Sequence, residues 1–293
     1  MILIADSGSS NTSWCLIPQS DNKTSEYLNN HQNERVFFTT EGYNPYYLTQ
    51  SYLVESITKS LPAGYDWNKV KQVGFYGAGC YENKYDFIRE ALQKVFVNAC
   101  IDVAMDLSAA ARALLGHKAG FAAILGTGTN SCLYDGTDII KNIDSLGFIL
   151  GDEGSGAYIG RRLLRDYMRE LAPDDVSALL KKTYELDIDD IFEQVYTKPF
   201  ANKYCANFCI FINEHRNRYP YLNDIVIDSF RDLFKNIISH YPAYKQYNFN
   251  CVGSVAYYFQ DILATVCGEF DMPLGKIIQS PLEGLIEYYL KNK

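Results

Sequence analysis

The sequence predicts an α/β chain of two halves built on one plan, the second interrupted by a long helical insertion. Three observations carry that prediction. A short apolar strand, a glycine- and hydroxyl-rich turn and a second strand occur at the amino terminus and again from Phe121. Around these hairpins the hydrophobic spacing changes between strand-like and helix-like, which calls for mixed sheets covered by helices. The 293 residues, 47% of them hydrophobic, suffice for one large domain or two medium ones with full cores.

The first half covers residues 1–115. Ile2 to Ala5 is its first strand, Asp6-Ser7-Gly8-Ser9-Ser10-Asn11-Thr12 its turn and Ser13 to Ile17 its second strand. An aspartate ending a buried strand is costly unless it is solvated or meets a cation, which marks Asp6. A third strand, Arg35 to Thr39, leads into Glu41-Gly42-Tyr43-Asn44-Pro45, and helical spacing then runs through Leu48, Tyr52, Ile57 and Leu61. After Pro62-Ala63-Gly64, Val70 to Tyr76 is a strand ending in Gly77-Ala78-Gly79, with a helix from about Lys84 to Phe96 behind it. Ile101 to Met105 is a strand that stops at Asp106, and Ser108 to Leu115 is a helix stopped by Gly116. Asp106 therefore stands at the carboxyl end of a strand, where open α/β sheets place their ligands. A helix-capping role for it is the structural alternative.

The second half covers residues 116–281. The strands Ala122 to Leu125 and Ser131 to Tyr134 flank the turn Gly126-Thr127-Gly128-Thr129-Asn130. Glycine there lets backbone N–H groups approach a ligand, and a concave set of such donors cradles phosphate. Gly151-Asp152-Glu153-Gly154-Ser155-Gly156 leads into a helical pattern through Tyr158, Ile159, Leu163, Leu164 and Tyr167. Adjacent carboxylates at a helix start can cap it, or hold sugar hydroxyls or a metal. The helical insertion spans about residues 155–245 and includes the amphipathic stretch Leu222 to Tyr241. There follow a strand (Asn248 to Val252), the turn Gly253-Ser254-Val255-Ala256, a helix from Tyr257 to about Val266 and a strand (Lys276 to Gln279). Pro281 opens a terminal helix, residues 282–293, that is expected to pack back on the first half.

A net charge of −8 argues against sequence-independent nucleic-acid binding, which needs basic surface. The start MILIADSGSS lacks a basic n-region and turns polar early, unlike a secretory signal. No apolar run reaches the roughly 18–20 residues of a membrane helix. The expectation is a cytoplasmic protein with no nucleic-acid or membrane partner. The eight cysteines are scattered, and C-x3-C at Cys205 and Cys209 is a weak metal signal, so buried, reduced thiols are expected. The 24 tyrosines carry no functional reading.

Asp6-x-Gly8-x-x-x-Thr12, Asp106 after a strand, Gly126-Thr127-Gly128-Thr129-Asn130, Gly151-Asp152-Glu153-Gly154-Ser155 and Gly253-Ser254-Val255-Ala256 stand in the order of an N-acetylglucosamine kinase. More broadly the chain resembles the BadF/BadG/BcrA/BcrD ATPases, within the superfamily of actin, heat-shock ATPases and sugar kinases. The resemblance covers essentially the whole chain. It implies two ribonuclease H-like (actin-like ATPase) lobes around a cleft that holds ATP and sugar, a homodimer, and Mg²⁺ as second cofactor. It assigns Asp6, Gly8, Ser9, Ser10 and Thr12 to the phosphates, with Asp6 on Mg²⁺ through water. Gly126, Thr127 and Gly128 grip phosphates from the other lobe, and Gly253 and Ser254 lie beside the adenosine. Asp106 matches the base that deprotonates the sugar hydroxyl, at C6, and is expected to be an ordinary carboxylate, ionised at neutral pH. Asn44, Thr129, Asn130, Gly147 and Asp152 match sugar-contacting positions.

Two departures bear on the substrate. Leu146 stands where the animal enzymes carry a tryptophan, and Thr129 where a serine is usual. The pocket could therefore suit glucosamine, N-acetylmuramic acid or another amino sugar. An alternative is a BadF-type ATPase that activates a partner enzyme through an iron–sulfur cluster, but Leu107-Ser108-Ala109-Ala110 and Ser155-Gly156-Ala157 contain no cysteine to hold one.

Overall fold

The structure, a computed structural model, describes residues 1–8, 11–18, 35–46 and 48–291. It divides into unit 1, Met1–Gly116 with Pro281–Lys293, and unit 2, His117–Ser280.

Unit 1 contains β1 (Ile2–Ser7), β2 (Asn11–Ile17), β3 (Val36–Glu41), α1 (Gln50–Ser60), β4 (Gln72–Gly77), α2 (Glu82–Val95), β5 (Cys100–Met105) and α3 (Asp106–Leu115). The sheet order is β3-β2-β1-β4-β5. The first three strands form an antiparallel meander, and β4 and β5 run parallel to β1. Alternation along the strands decides which face is apolar. Leu3, Ala5, Val73, Phe75, Ile101 and Val103 share one face and pack with Leu53 and Ile57 of α1 and Ile88, Ala91 and Leu92 of α2. The opposite face carries Asp6, paired in register with Tyr76, and Asp102.

Unit 2 contains β6 (Gly120–Leu125), β7 (Thr129–Tyr134), β8 (Ile139–Asn142), α4 (Gly147–Leu150), α5 (Gly156–Met168), α6 (Asp174–Tyr184), α7 (Ile188–Tyr196), α8 (Ala201–His215), α9 (Pro220–Asn236), β9 (Phe249–Val252), α10 (Ser254–Tyr258), α11 (Gln260–Glu269) and β10 (Leu274–Ile278). Its sheet order, β10-β9-β6-β7-β8, repeats the plan of unit 1 when read from the other edge. An antiparallel meander again starts at the central strand, with two parallel strands on its far side. Phe121, Ala123 and Leu125 of β6 join one core with Leu163, Phe211, Phe230 and Leu263 from four helices.

The terminal helix α12 (Leu282–Lys291) belongs to unit 1. It lays Tyr289 against β4 and β5: the phenol is 3.0 Å from the Tyr76 hydroxyl and donates to Asp102 at 3.2 Å. Arg112 of α3 completes the cluster with bonds of 2.8 Å to Tyr76 and Asp102.

The structure departs from the sequence reading in four places. The edge strand β8 and the one-turn helix α4 were not expected, and the helix expected from Tyr257 is two, α10 and α11, divided at Phe259. The amphipathic stretch from Leu222 ends its regular helix at Asn236 and continues as a short 3₁₀ turn, Ile238–His240. No described helix is long and apolar enough to cross a membrane.

Candidate active site

In unit 1 the carboxyl ends of β1, β4 and β5 lie side by side, with Ser7 opposite Gly77 and Gly77 opposite Met105. Register alone therefore brings Asp6, the turn Gly77-Ala78-Gly79 and Asp106 to one edge. Asp6 sits one residue before the end of β1, and its carboxylate has no hydrogen-bond partner among the described residues. Burial, helped by the neighbouring Asp106, pushes its pKa up to about 7.

Asp106 is the first residue of α3, and its Oδ1 accepts the Leu107 N–H at 2.8 Å. Even with that donor, burial lifts its pKa to about 6. The expectation of an ordinary aspartate is thereby corrected: two desolvated carboxylates share an edge, and neither has a basic side chain as hydrogen-bond partner among the described residues.

These shifts have a stability consequence. Both folded-state values lie above the ordinary 3.8, so the folded chain binds protons more tightly than the unfolded one. The resulting stabilisation is fully present below about pH 4 and is lost as pH rises through about 6 to 7. Asp6→Asn is therefore expected to raise Tm by about 2–4 °C at pH 7.5 without divalent cations, with the gain vanishing near pH 4. A thermal melt series in chelator-treated buffer measures it.

The remaining predicted residues of unit 1 shape this edge. Gly8 N–H closes the β1–β2 turn onto Asn11 O at 2.9 Å. Thr12 is fully buried. Its Oγ1 lies 2.8 Å from both Ser7 Oγ and Glu41 O, so its hydroxyl is spent inside the unit. Asn44 Oδ1 accepts the Tyr46 N–H at 3.0 Å, which leaves the amide NH2 without a partner among the described residues. That NH2 lies against Gly79, 3.2 Å from where a Cβ there would be. Ser9 and Ser10 lie outside the described residues.

In unit 2 the first N–H groups of α5 hold the β6–β7 turn by its carbonyls. Gly156 N donates to Gly126 O at 2.8 Å and Ala157 N to Thr127 O at 3.1 Å. With the carbonyls so engaged, the N–H groups of Thr127 and Gly128 and the Thr127 hydroxyl have no partner among the described residues. Two N–H groups and a hydroxyl free in a half-buried turn form an anion-binding set. Gly253 lies beside this turn at φ +129°, where a Cβ would come within 2.2 Å of Leu125 O. No other residue fits between β6 and the start of α10, where Ser254 is exposed.

Asp152 belongs to the same cluster. It is buried in the left-handed region at φ +59°, and its Oδ1 accepts the Thr129 N–H at 3.1 Å. Its carboxylate comes within 3.2 Å of the Cβ position on Gly128. Burial raises its pKa, against the bonds it accepts from Thr129 and Ser145. The cap of α5 is Ser155, whose hydroxyl accepts the Tyr158 N–H at 3.1 Å, so Asp152 is not spent on capping. The Thr129 hydroxyl donates to Glu153 O at 2.7 Å, tying β7 to the Asp152 loop. Asn130 Oδ1 is taken by the Ser131 N–H and Asn142 Nδ2. Gly147 opens α4 at φ +69° with open space around it, and Leu146 before it is 61% exposed.

The sequence reading missed Ser7 and Ser145. Ser7 had a signal: it alternates with Asp6 and falls on the apolar face with Leu3 and Ala5, where a small polar residue is unusual. Ser145 had none, because its bond to Asp152 depends on a loop path that no local pattern encodes.

No family model matches the sequence, and no curated protein matches it. Solved structures do. A Porphyromonas gingivalis protein described as a "Putative N-acetylglucosamine Kinase" is 37% identical, covers 100% of this chain and 99% of its own, and superposes with a TM-score of 0.90. A Chromobacterium violaceum protein of the same description is 14% identical over 98% of each chain, with a TM-score of 0.71. A ROK family glucokinase from Streptomyces griseus, solved with glucose and AMPPNP, is 15% identical over 98% of this chain and 97% of its own, with a TM-score of 0.54. The last two likenesses carry the fold alone, two ribonuclease H-like units of the actin-like ATPase type.

Proposed function

Because the chain belongs to the same family as the P. gingivalis "Putative N-acetylglucosamine Kinase", we propose that it is an ATP-dependent sugar kinase acting on N-acetylglucosamine or a related amino sugar, with the C6 hydroxyl as acceptor. The observation that carries the chemistry is the pair Asp6 and Asp106, desolvated at one sheet edge. Phosphoryl transfer asks a protein for positioning, charge stabilisation and a carboxylate to orient and deprotonate the attacking hydroxyl. Asp106 takes that proton as the sugar oxygen bonds to the γ-phosphorus and the bond to the β–γ bridging oxygen breaks, releasing ADP. A base with a pKa of about 6 is ionised at neutral pH yet basic enough to accept the proton.

Mg²⁺ fits the donor set. It is commonly held by one or two carboxylates together with substrate phosphates and waters. Asp6 offers a half-buried, desolvated carboxylate that no donor among the described residues occupies. When bound there, the ion would neutralise charge on the phosphates. Gly8 shapes the turn on that side, and Gly126, Thr127 and Gly128 supply N–H and hydroxyl donors to phosphate oxygens. We assign Gly253 and Ser254 to the adenosine, and Asn44 of unit 1 and Thr129, Asn130, Gly147 and Asp152 of unit 2 to the sugar.

The phosphate assignment has a clean test at Gly126. A Cβ there meets nothing within 4 Å, so Gly126→Ala leaves the fold alone and narrows the space beside the free N–H groups. The KM for ATP is expected to rise about tenfold, with Tm unchanged. Gly128→Val is the poorer test, because its side chain would press on the Asp152 carboxylate.

The function itself is tested by coupled ADP release across N-acetylglucosamine, glucosamine, N-acetylmannosamine and N-acetylmuramic acid, with product mapping by NMR. Sugar-dependent turnover with phosphate on O6 is the expected result. ATP hydrolysis unaffected by every sugar would overturn the reading.

A further inference from the structure

The strongest unassigned feature is a buried hydroxyl chain in unit 1. Ser7 and Thr12 are both essentially inaccessible, and their oxygens lie 2.8 Å apart. Thr12 Oγ1 is also 2.8 Å from Glu41 O, and Ser7 Oγ is 3.1 Å from the Tyr43 N–H. A hydroxyl has one proton. Thr12 donates it to Ser7 Oγ, and Glu41 O, equally close to Thr12, accepts the Thr40 hydroxyl at 3.2 Å. Ser7 Oγ is then the common acceptor of the Thr12 O–H and the Tyr43 N–H.

Ser7 has a second hold on the same region. Its carbonyl accepts the Ala78 N–H at 2.8 Å. Tyr43 immediately precedes Asn44, and Ala78 immediately precedes Gly79, the residue against which the Asn44 amide lies. One residue therefore fixes the chain on both sides of Asn44 and is itself the covalent neighbour of Asp6.

We propose that Ser7 is a positioning residue for the sugar: its hydroxyl and carbonyl clamp the loop that presents Asn44 to the strand end that presents Asp6. Ser7 touches no substrate; it sets where Asn44 stands relative to the edge carrying Asp6 and Asp106. The inference rests on the proposed assignment of Asn44 to the sugar. It also explains why a polar residue occupies the apolar face of β1, and why the buried Thr12 does not face the phosphates.

Ser7→Ala removes the acceptor for both the Tyr43 N–H and the Thr12 hydroxyl, while the carbonyl bond stays. The expected result is a sugar KM raised about tenfold with the ATP KM within about twofold of wild type. Ser7→Cys, a weaker partner of similar shape, is expected to fall between. Thr12→Val, which breaks the same chain one step on, should add little when combined with Ser7→Ala. Amide hydrogen exchange at Tyr43 reads the clamp without any turnover and should be faster in Ser7→Ala.

Unchanged exchange at Tyr43 would overturn the hydroxyl chain. Faster exchange with an unchanged sugar KM, or equal losses for sugar and ATP, would overturn the positioning role. If wild type turns over no amino sugar, the proposed function fails together with the sugar part of this inference, whereas the exchange result still decides the clamp. Should Ser7→Ala not fold, Ser7→Cys carries the same KM and exchange measurements.

Discussion

Asp106→Asn is expected to lower kcat by about 10²–10⁴-fold while leaving the KM values for ATP and sugar within a few-fold of wild type. The amide keeps the shape of the side chain and can still accept the Leu107 N–H through its oxygen, so α3 should start as before. What it loses is the capacity to take a proton. The pH profile separates this from a structural effect. With saturating Mg²⁺ holding Asp6 ionised and the wild-type Asp106 pKa lifted to about 6, protonation of Asp106 should draw kcat/KM down as pH falls through 6. The residual activity of Asp106→Asn should show no such acid limb. A variant within a few-fold of wild type, with the acid limb intact, would reassign Asp106 to the first turn of α3.

The same substitution at Asp6 is expected to behave differently, and the contrast separates base from metal ligand. Asp6 has no partner to lose among the described residues, and its neutralisation relieves a buried charge. Stability should therefore rise at neutral pH while catalysis falls. A residue retained against stability in this way fits a functional site, since such sites are where burial and like charges are tolerated.

What could be read from the sequence follows from how local each signal is. The two hairpins were legible because strand period, turn glycines and the next strand lie within a dozen or so residues, and the sheet orders repeat as that reading implies. The strand β8 was not legible. Ile139–Asn142 is short and largely exposed, and it is a strand only because Cys132 and Leu133 pair with it. The helix α4 is framed by Leu146 and Gly147, both at positive φ, so its start is set by backbone geometry rather than by a cap. The break at Phe259 hid because the ring that interrupts the helix is itself buried and reads as one more apolar residue in the helical pattern.

At the site, residue identities were legible and environments were not. The raised pKa values of Asp6 and Asp106 come from burial that only tertiary packing supplies. The caps at Asp106 and Asp152 were open alternatives in the sequence. The structure decides both: Met105, not Asp106, is at the cap position of α3 and the Asp106 side chain accepts only its neighbour's N–H, whereas Ser155 takes the cap that Asp152 had been a candidate for.

That outcome reshapes the sugar test. Asp152→Ala is a confounded variant: it leaves the buried Thr129 N–H unpaired and puts alanine at φ +59°, a conformation that Asn and Asp tolerate better. Asp152→Asn retains both the left-handed backbone and an oxygen for Thr129, and it changes only what the second carboxylate oxygen offers. That oxygen, Oδ2, lies 3.2 Å from the Cβ position on Gly128. If it accepts a sugar hydroxyl in the complex, an amide NH2 in its place meets the hydroxyl with the wrong polarity and leaves an unpaired buried group, a loss of roughly 1–3 kcal/mol. The expected outcome is kcat/KM for the sugar lower by about ten- to a hundredfold, with the ATP KM within about twofold and Tm close to wild type. If the loss falls on ATP instead, Asp152 works by holding the Gly128 turn for the phosphates, and the sugar contact must be sought elsewhere in the Asp152 loop.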